Sequence, residues 1–156
     1  MLRAVIIDDE RKSRENLELL LESFVDNVEI VGTADGVLTG ISAIDLHNPD
    51  VVFLDIHLAN GDGFQVLESL KNKNQNVIFV TGHEEHAVKA FRSDAIDYLL
   101  KPVCIEHLQG AVERVRARTK SETTKDAIQQ ISLSTNKGLQ FLKTEDIVYC
   151  KGDGAY

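Results

Sequence analysis

The sequence predicts an α/β fold in which a parallel sheet is covered by helices on both faces. Five short apolar runs recur along the chain, four of them rich in β-branched residues, and each is followed by a segment with helical periodicity. Runs of this kind are typical of strands buried on both faces, which occur in parallel sheets. Regular alternation of strand and helix, joined by right-handed crossovers, then favours a doubly wound sheet.

The elements follow one another as strand and helix, repeated five times over residues 1–118. The predicted strands are Ala4–Ile7, Val28–Val31, Val51–Leu54, Val77–Val80 and Ala95–Leu100. The apolar faces of the helices are Leu17/Leu20/Leu21/Phe24, Val37/Ile41/Ile44, Phe64/Leu67/Leu70, Ala87/Ala90/Phe91 and Ile105/Leu108/Val112/Val115. The simplest strand order is flavodoxin-like, 2-1-3-4-5, which places the first and third strands side by side.

Polar residues follow four of these strands at the point where each strand ends. Asp8 and Asp9 follow the first, Asp55 the third, Thr81 the fourth and Lys101 the fifth. Sites in open parallel sheets lie beyond the carboxyl ends of the strands, so these groups should gather at one edge. Three crowded carboxylates repel one another unless a divalent cation lies among them. The set predicts a site that accepts a phosphoryl group on an aspartate.

Composition excludes several other classes of protein. No apolar stretch approaches the length of a membrane span, and the N-terminus lacks the apolar core of a signal peptide. The two cysteines are too few for a disulfide framework, which favours a reducing cytoplasm. A chain with a net charge of −8 is not expected to bind the phosphate backbone of nucleic acids through its surface charge as a whole.

Charge and periodicity both change after the fifth helix. Residues 1–110 carry nine basic and 19 acidic side chains, a net −10, whereas the remainder carries eight and six, a net +2. We predict a polar linker over 119–129, followed by a β-rich segment over 130–156. Apolar residues alternate there with period two, and Asn136-Lys137-Gly138 predicts a turn. The segment is too short to close a core of its own.

Five separated motifs over residues 1–118 resemble those of a response-regulator receiver domain. They are Val5-Ile6-Ile7-Asp8-Asp9-Glu10, Val52-Phe53-Leu54-Asp55-Ile56-His57-Leu58, Gly61-Asp62-Gly63, Val80-Thr81-Gly82 and Asp97-Tyr98-Leu99-Leu100-Lys101-Pro102. The resemblance implies that Asp55 is the nucleophile and takes its phosphoryl group from a phosphohistidine on a sensor histidine kinase. The alternative is that Asp55 only caps a loop.

The resemblance also implies a Mg²⁺ site. Asp9 corresponds to a direct ligand, Asp8 to a ligand through water, and Asp55 and the backbone carbonyl of His57 complete the protein's contribution. Mg²⁺ takes few protein ligands and binds phosphate oxygens, which suits such a set. The alternative is an acidic helix N-terminus, in which the negative charges of Asp8-Asp9-Glu10 interact favourably with the dipole of the first helix. Both roles are compatible.

The remaining matched residues are expected to respond to the phosphoryl group. Lys101 should pair with its oxygens, and the family usually carries a cis bond at the position of Lys101-Pro102. Thr81 should hydrogen-bond to the phosphoryl group, and Tyr98 corresponds to an aromatic switch that turns inward when Thr81 moves. The alternative for Thr81 is a β-branched strand residue whose hydroxyl has no role, and the alternative for Tyr98 is simple packing.

Three histidines close to these motifs give two further hypotheses. His57 lies two residues after Asp55 and His83 two residues after Thr81, and both side chains are expected to alter the hydrolysis rate of the acyl phosphate. His83 and His86 lack a third ligand, so a zinc site there is disfavoured.

The segment 130–156 is similar to the start of a LytTR-type DNA-binding domain. The matching stretches are Ile131-Ser132-Leu133, Gly138-Leu139-Gln140-Phe141-Leu142 and Asp146-Ile147-Val148-Tyr149-Cys150. The family contacts DNA largely through later residues, so no DNA-contacting residue is assigned. The chain as a whole is then expected to be a regulator with a truncated output domain.

Phosphorylation is expected to rearrange the face formed by the fourth helix, fifth strand and fifth helix, which often makes homodimers in the family. Val88, Ala95 and Leu99 are candidates to contribute to it. Two alternatives remain open. One is a receiver-like module that docks proteins without phosphorylation. The other is a haloacid-dehalogenase-like phosphatase, which would need a second aspartate where His57 stands.

Overall fold

The computed structural model describes residues 1–70, 75–82, 95–127, 130–135 and 138–143, with side chains described as far as Lys120. These residues fall into two compact units, Met1–Arg116 and Ala117–Tyr156. Of the helices within the described ranges, none is long and apolar enough to cross a bilayer.

Strands and helices follow one another through the described part of residues 2–127, broadly as predicted. In chain order the elements are β1 (Leu2–Ile7), α1 (Arg11–Phe24), β2 (Val28–Ala34), α2 (Val37–His47), β3 (Val51–Leu54), β4 (His57–Leu58), β5 (Gly61–Asp62), α3 (Gly63–Ser69), β6 (Asn76–Thr81), β7 (Asp97–Leu100) and α4 (Ile105–Ala127). The predicted fourth helix lies outside the described residues, and α4 is the fifth helix of the prediction.

Five strands form one parallel sheet in the order β2-β1-β3-β6-β7. With the strands counted in sequence, this is the flavodoxin-like order 2-1-3-4-5 that the sequence predicts. Every residue of β3 and of β6 is buried, which is what a central strand covered on both faces requires.

The core has one layer on each face of the sheet, because successive strand side chains point to opposite faces. One layer contains Phe53 and the buried residues of α1 and α4, and the other contains Phe79 and the buried residues of α2 and α3. In α1, Leu17 and Leu21 are buried as predicted.

The observed burial differs from the sequence interpretation at three positions. Phe24, the last residue of α1, lies on the predicted apolar face but is 46% exposed. Val66 of α3 is fully buried, although the predicted face did not include it. Leu99 belongs to the core and is 3% exposed, so it cannot contribute to a dimer face, whereas its neighbour Leu100 is 39% exposed. Val88 lies outside the described residues.

The strand register decides which polar residues meet at the carboxyl edge of the sheet. Ile7 of β1 pairs with Leu54 of β3. Asp8 and Asp55 each come directly after one of these paired residues, so they lie at the same level of the sheet edge. Thr81 of β6 pairs with Leu100 of β7, and the amide of Lys101 donates to the carbonyl of Thr81 at 2.8 Å.

The last helix is longer than expected. It continues to Ala127, through most of the predicted linker 119–129, because no glycine or proline interrupts this polar stretch. Beyond it, β8 (Gln130–Thr135) and β9 (Gly138–Lys143) pair antiparallel, with Thr135 opposite Gly138. These strands coincide with two of the predicted β-runs, and the third lies outside the described residues.

Candidate functional site

Three carboxylates meet at the carboxyl edge of the sheet. Asp8, Asp9 and Asp55 each offer one oxygen, and these oxygens all lie within 4.8 Å of one another. Asp8 is 4% exposed and Asp55 7% exposed, whereas Asp9 is open to solvent. The cluster therefore has two carboxylates with little access to water and a third at its mouth.

The start of α1 holds Asp8 in place. The backbone amide of Glu10 donates to Asp8 Oδ1 at 2.9 Å, and the Arg14 guanidinium donates to the Asp8 carbonyl. Sequence reasoning missed both groups. Their spacing from Asp8, two and six residues, is an available signal, because it places Glu10 at the N-cap and Arg14 at the start of a helix that begins soon after the strand.

Asp55 is fixed through its main chain and both oxygens of its side chain. Its amide donates to the carbonyl of Ile7 at 2.8 Å, which extends the pairing of β3 with β1. Oδ1 accepts from the backbone amide of His57 at 3.2 Å, and Oδ2 accepts from Lys101. The carboxylate is therefore held in one orientation at the floor of the cluster.

Lys101 links the two buried carboxylates. Its Nζ lies 2.6 Å from Asp8 Oδ2 and 2.6 Å from Asp55 Oδ2, and its side chain is 22% exposed. Burial alone would lower the pKa of Lys101, but hydrogen bonds and charge from Asp55 and Asp8 outweigh it and raise that pKa above its ordinary value. The ammonium therefore stays charged at neutral pH. The Lys101-Pro102 peptide bond is cis.

The donor set fits a small, hard divalent cation. Carboxylate oxygens are the ligands that Mg²⁺ prefers, and three of them within 4.8 Å can surround one ion together with water. One ammonium cannot balance three carboxylates, so a net negative charge remains to attract a cation.

Thr81 and Tyr98 lie on the strands beside this cluster. Thr81 ends β6 and is fully buried, and among the described residues its Oγ1 has no hydrogen-bond partner. A buried hydroxyl without a partner costs about 1–3 kcal/mol, so such a group is suited to meeting a ligand. Tyr98 pairs with Phe79 on β6 and is half-buried against the core layer of α2 and α3.

The loop after Asp55 forms a short closed structure that leads into α3. His57 and Leu58 pair antiparallel with Asp62 and Gly61. A capping box then starts the helix: Asp62 Oδ1 accepts from the amide of Phe64 at 2.6 Å, and Gln65 Oε1 accepts from the amide of Asp62. The sequence analysis identified Gly61-Asp62-Gly63 as a motif but did not predict this hairpin.

Of the three predicted histidines, the structure describes only His57. The His57 side chain is exposed, and its backbone lies in the hairpin next to Asp55. His83 and His86 lie outside the described residues, so the effect of His83 on hydrolysis stays a prediction, and the structure does not test the disfavoured zinc site.

An open groove of about 410 Å³ lies beside the Asp8–Lys101 ion pair. Ser13 and Asn16 of α1 line it on one side, and Pro102 and Val103 line it too, together with Leu17 and Val80. The groove therefore reaches Asp8 and Lys101 from the side of α1.

Comparison with known families points in one direction. The family model described as the response regulator receiver domain matches residues 4–113. Among curated proteins, an uncharacterized response regulatory protein of Vibrio cholerae serotype O1 is 36% identical over 98% of this chain and 66% of its own length. Sensory transduction protein LytT of Bacillus cereus is 34% identical, and transcriptional regulatory protein BtsR of Salmonella typhi 32%; both matches cover 96% of this chain and 65% of the relative. The chain thus spans about two thirds of their length.

Solved structures agree with this assignment of the fold. A DNA-binding response regulator of the LuxR family from Staphylococcus aureus superposes with a TM-score of 0.67 at 30% identity, covering 74% of this chain and 98% of that one. The response regulatory domain of protein mrkE from Klebsiella pneumoniae superposes with a TM-score of 0.69 at 26% identity, covering 77% and 99%.

Proposed function

Because this chain belongs to the response-regulator receiver family of two-component systems, we propose that it accepts a phosphoryl group on Asp55 from a sensor histidine kinase. The observation that carries the proposal is the placement of Asp55. Its carboxylate is buried and oriented, lies among two other carboxylates, and receives the Lys101 ammonium on Oδ2. The family is regulatory rather than catalytic, so the acyl phosphate is a signal and not a step in substrate turnover.

The chemistry requires in-line attack by a carboxylate oxygen on phosphorus. A bond forms between an Asp55 oxygen and phosphorus, the bond between phosphorus and the donor nitrogen breaks, and the imidazole leaves with the electron pair. Lys101 is placed to neutralise the charge that the phosphoryl oxygens bring, and it needs no large movement to do so. The groove beside α1 reaches Lys101 and Asp8, the two residues that are joined by the ion pair next to Asp55.

Mg²⁺ is the proposed cofactor, held by Asp8, Asp9, Asp55 and the backbone carbonyl of His57. Bound there, it supplies positive charge to the transferring phosphoryl oxygens. The close approach of the three carboxylate oxygens supports this assignment. Asp8, whose Oδ1 is occupied by the amide of Glu10, is suited to act through a water molecule.

The proposed switch consists of Thr81 and Tyr98. A phosphoryl oxygen on Asp55 would give the unpartnered Thr81 hydroxyl an acceptor, and movement of Thr81 would free space for the Tyr98 ring. New charge-assisted contacts would thus favour one of two conformations of the domain.

The output is proposed to be control of transcription. Relatives are named as transcriptional or sensory transduction regulators, and the β8–β9 hairpin supports the assignment of residues 130–156 to the start of a LytTR-type domain. We place the protein in the cytoplasm. Homodimers are proposed to form through the predicted fourth helix together with β7 and α4, with Ala95 as a contributor.

Incubation with a small phosphodonor and Mg²⁺, followed by intact-mass measurement, tests the proposal. We expect a mass increase equal to one phosphoryl group, which is absent in Asp55→Asn and in the presence of EDTA. An unchanged mass, under conditions in which another receiver domain in the same tube is phosphorylated, would contradict it. Steady turnover of p-nitrophenyl phosphate would instead support a phosphatase.

Beryllofluoride with Mg²⁺ separates a phosphorylation switch from a docking module that needs no phosphate. We expect the backbone amide resonances near Thr81 and Tyr98 to shift in the unsubstituted chain. In Thr81→Val, which removes the hydroxyl but keeps the shape, the shift at Tyr98 should be lost. No response in the unsubstituted chain would favour the docking module.

A further inference from the structure

We propose that Gly63 is a positioning residue for the phosphoacceptor, an inference that rests on the proposed function of Asp55. Gly63 touches none of the reacting groups. It acts by letting the start of α3 lie directly against the main chain of Asp55, and through that contact it sets where the carboxylate stands.

The contact is too close for any side chain. A Cβ atom at Gly63 would lie 2.3 Å from the carbonyl oxygen of Asp55, 3.2 Å from its carbonyl carbon and 3.2 Å from Ile56 Cα. All three atoms are backbone, so no side-chain rotation relieves the clash. Gly63 is buried, and its amide donates to the carbonyl of Ile56 at 2.8 Å. The requirement for glycine here is therefore one of space.

Both partners of this contact are held from their other sides. The amide of Asp55 is bonded to Ile7 in the central sheet. The start of α3 is held by its capping box, in which Asp62 accepts from Phe64 and Gln65 accepts from Asp62. A side chain at position 63 would therefore force either the helix or the nucleophile to move.

The same contact controls the hairpin between Asp55 and α3. His57, the residue proposed to offer its carbonyl to Mg²⁺, pairs with Asp62, which directly precedes Gly63. The distance from a Cβ at position 63 to the Asp55 carbonyl oxygen is about 1 Å shorter than an ordinary van der Waals contact. A shift of that size in Asp55 or His57 would misalign the in-line attack, and such misplacement can cost about a hundredfold in rate.

The decisive experiment compares Gly63→Ala with Gly32→Ala. Gly32 is the matched control, because a Cβ there also meets an atom at 2.8 Å, but that atom belongs to the His47 side chain on α2, away from the loop. For both variants and the unsubstituted chain, we would measure Mg²⁺ affinity by calorimetry and the phosphorylation rate against phosphodonor concentration.

We expect Gly63→Ala to lower the maximal phosphorylation rate by about a hundredfold and to weaken Mg²⁺ binding, with little change in the donor concentration at half-maximal rate. Amide resonances of Ile56 and His57 should shift before Mg²⁺ is added. Gly32→Ala should keep the rate and affinity of the unsubstituted chain. Because the clash at Gly63 is with backbone and the clash at Gly32 is with a side chain, urea denaturation of both variants must show that the rate difference exceeds any difference in the folded fraction.

Asp62→Ala extends the test in case Gly63→Ala does not fold. It removes the cap at a partly exposed position, loosens the start of α3, and should lower the phosphorylation rate and Mg²⁺ affinity together. Unchanged kinetics in folded Gly63→Ala, or in Asp62→Ala if the first is unfolded, would overturn the inference while leaving the proposed function standing. Failure of the unsubstituted chain to be phosphorylated would overturn both.

Discussion

Lys101 acts, in the described structure, as a cation placed among carboxylates that would otherwise repel one another. Its ammonium is 2.6 Å from an oxygen of each buried aspartate. Two nearly buried carboxylates without a cation would be strongly unfavourable, because their desolvation is not compensated. The lysine therefore belongs to the proposed site and also lets the Asp8 and Asp55 side chains lie close together.

Replacing Lys101 by methionine should expose this dependence. We expect Lys101→Met in EDTA to lose about 3 kcal/mol in free energy of unfolding, since an uncompensated buried charge remains. The loss should shrink when Mg²⁺ is added, because a divalent ion supplies the missing positive charge. Urea denaturation with and without Mg²⁺ measures both quantities.

The control for this prediction is Lys12→Met on α1. Lys12 is exposed, and its removal changes the net charge equally without breaking the link between Asp8 and Asp55. Its free energy of unfolding should change by less than about 0.5 kcal/mol. An equal loss in Lys101→Met with and without Mg²⁺ would contradict the electrostatic explanation.

Sequence reasoning could predict which residues end the strands, but not how their side chains touch. Apolar runs before Asp8, Asp55 and Lys101 are long enough to be recognised, and sheet topology then brings them together. The double ion pair of Lys101 and the fit of Gly63 depend on atomic distances that no periodicity encodes. Leu99 was placed on the dimer face, although it lies in the core and Leu100 is the more exposed of the two. Both residues are apolar, so the sequence does not show which face of the strand is covered by helices.

At the scale of elements, the long helices and the central strands were predictable because their patterns repeat over several turns or are continuously apolar. The two-residue strands β4 and β5 are too short for any period to appear. The C-terminal extension of α4 was missed because its residues are polar on all sides, which removes the apolar stripe by which a helix is recognised.

Two helical glycines should respond in opposite ways to the same substitution. At Gly110 of α4, an added Cβ would meet nothing closer than Arg114 at 3.8 Å. Gly110→Ala should therefore raise the free energy of unfolding by about 0.5–1 kcal/mol, since alanine loses less backbone entropy than glycine in a helix. Urea denaturation measures the change.

At Gly40 of α2, an added Cβ would lie 2.8 Å from Ile7 Cδ1 in the core. Gly40→Ala should destabilise the fold by about 1 kcal/mol or more, because overpacking outweighs the gain in helix propensity. If both variants were stabilised, the close contact of α2 with β1 would not be tight enough to constrain this position.

The whole molecule combines a net charge of −8 with an acidic cluster at one edge of its sheet. Cation binding and folding should therefore be linked, because a metal that binds only the folded chain stabilises it by mass action. At a Mg²⁺ concentration about a hundredfold above its dissociation constant, the gain should be about 2.7 kcal/mol. It should depend on Mg²⁺ concentration and not on ionic strength alone.

Asp9→Asn should separate binding from general charge neutralisation. Asp9 is exposed at the mouth of the cluster, so its loss relieves repulsion and should leave the metal-free protein as stable as before or slightly more stable. Most of the stabilisation by Mg²⁺ should nevertheless disappear, because the proposed direct ligand is gone. Glu22→Gln, near the far end of α1, removes the same charge and should keep the full gain. Thermal and urea denaturation over a Mg²⁺ titration, at constant ionic strength, distinguish the two variants, and equal gains in both would show that screening rather than a bound ion is responsible.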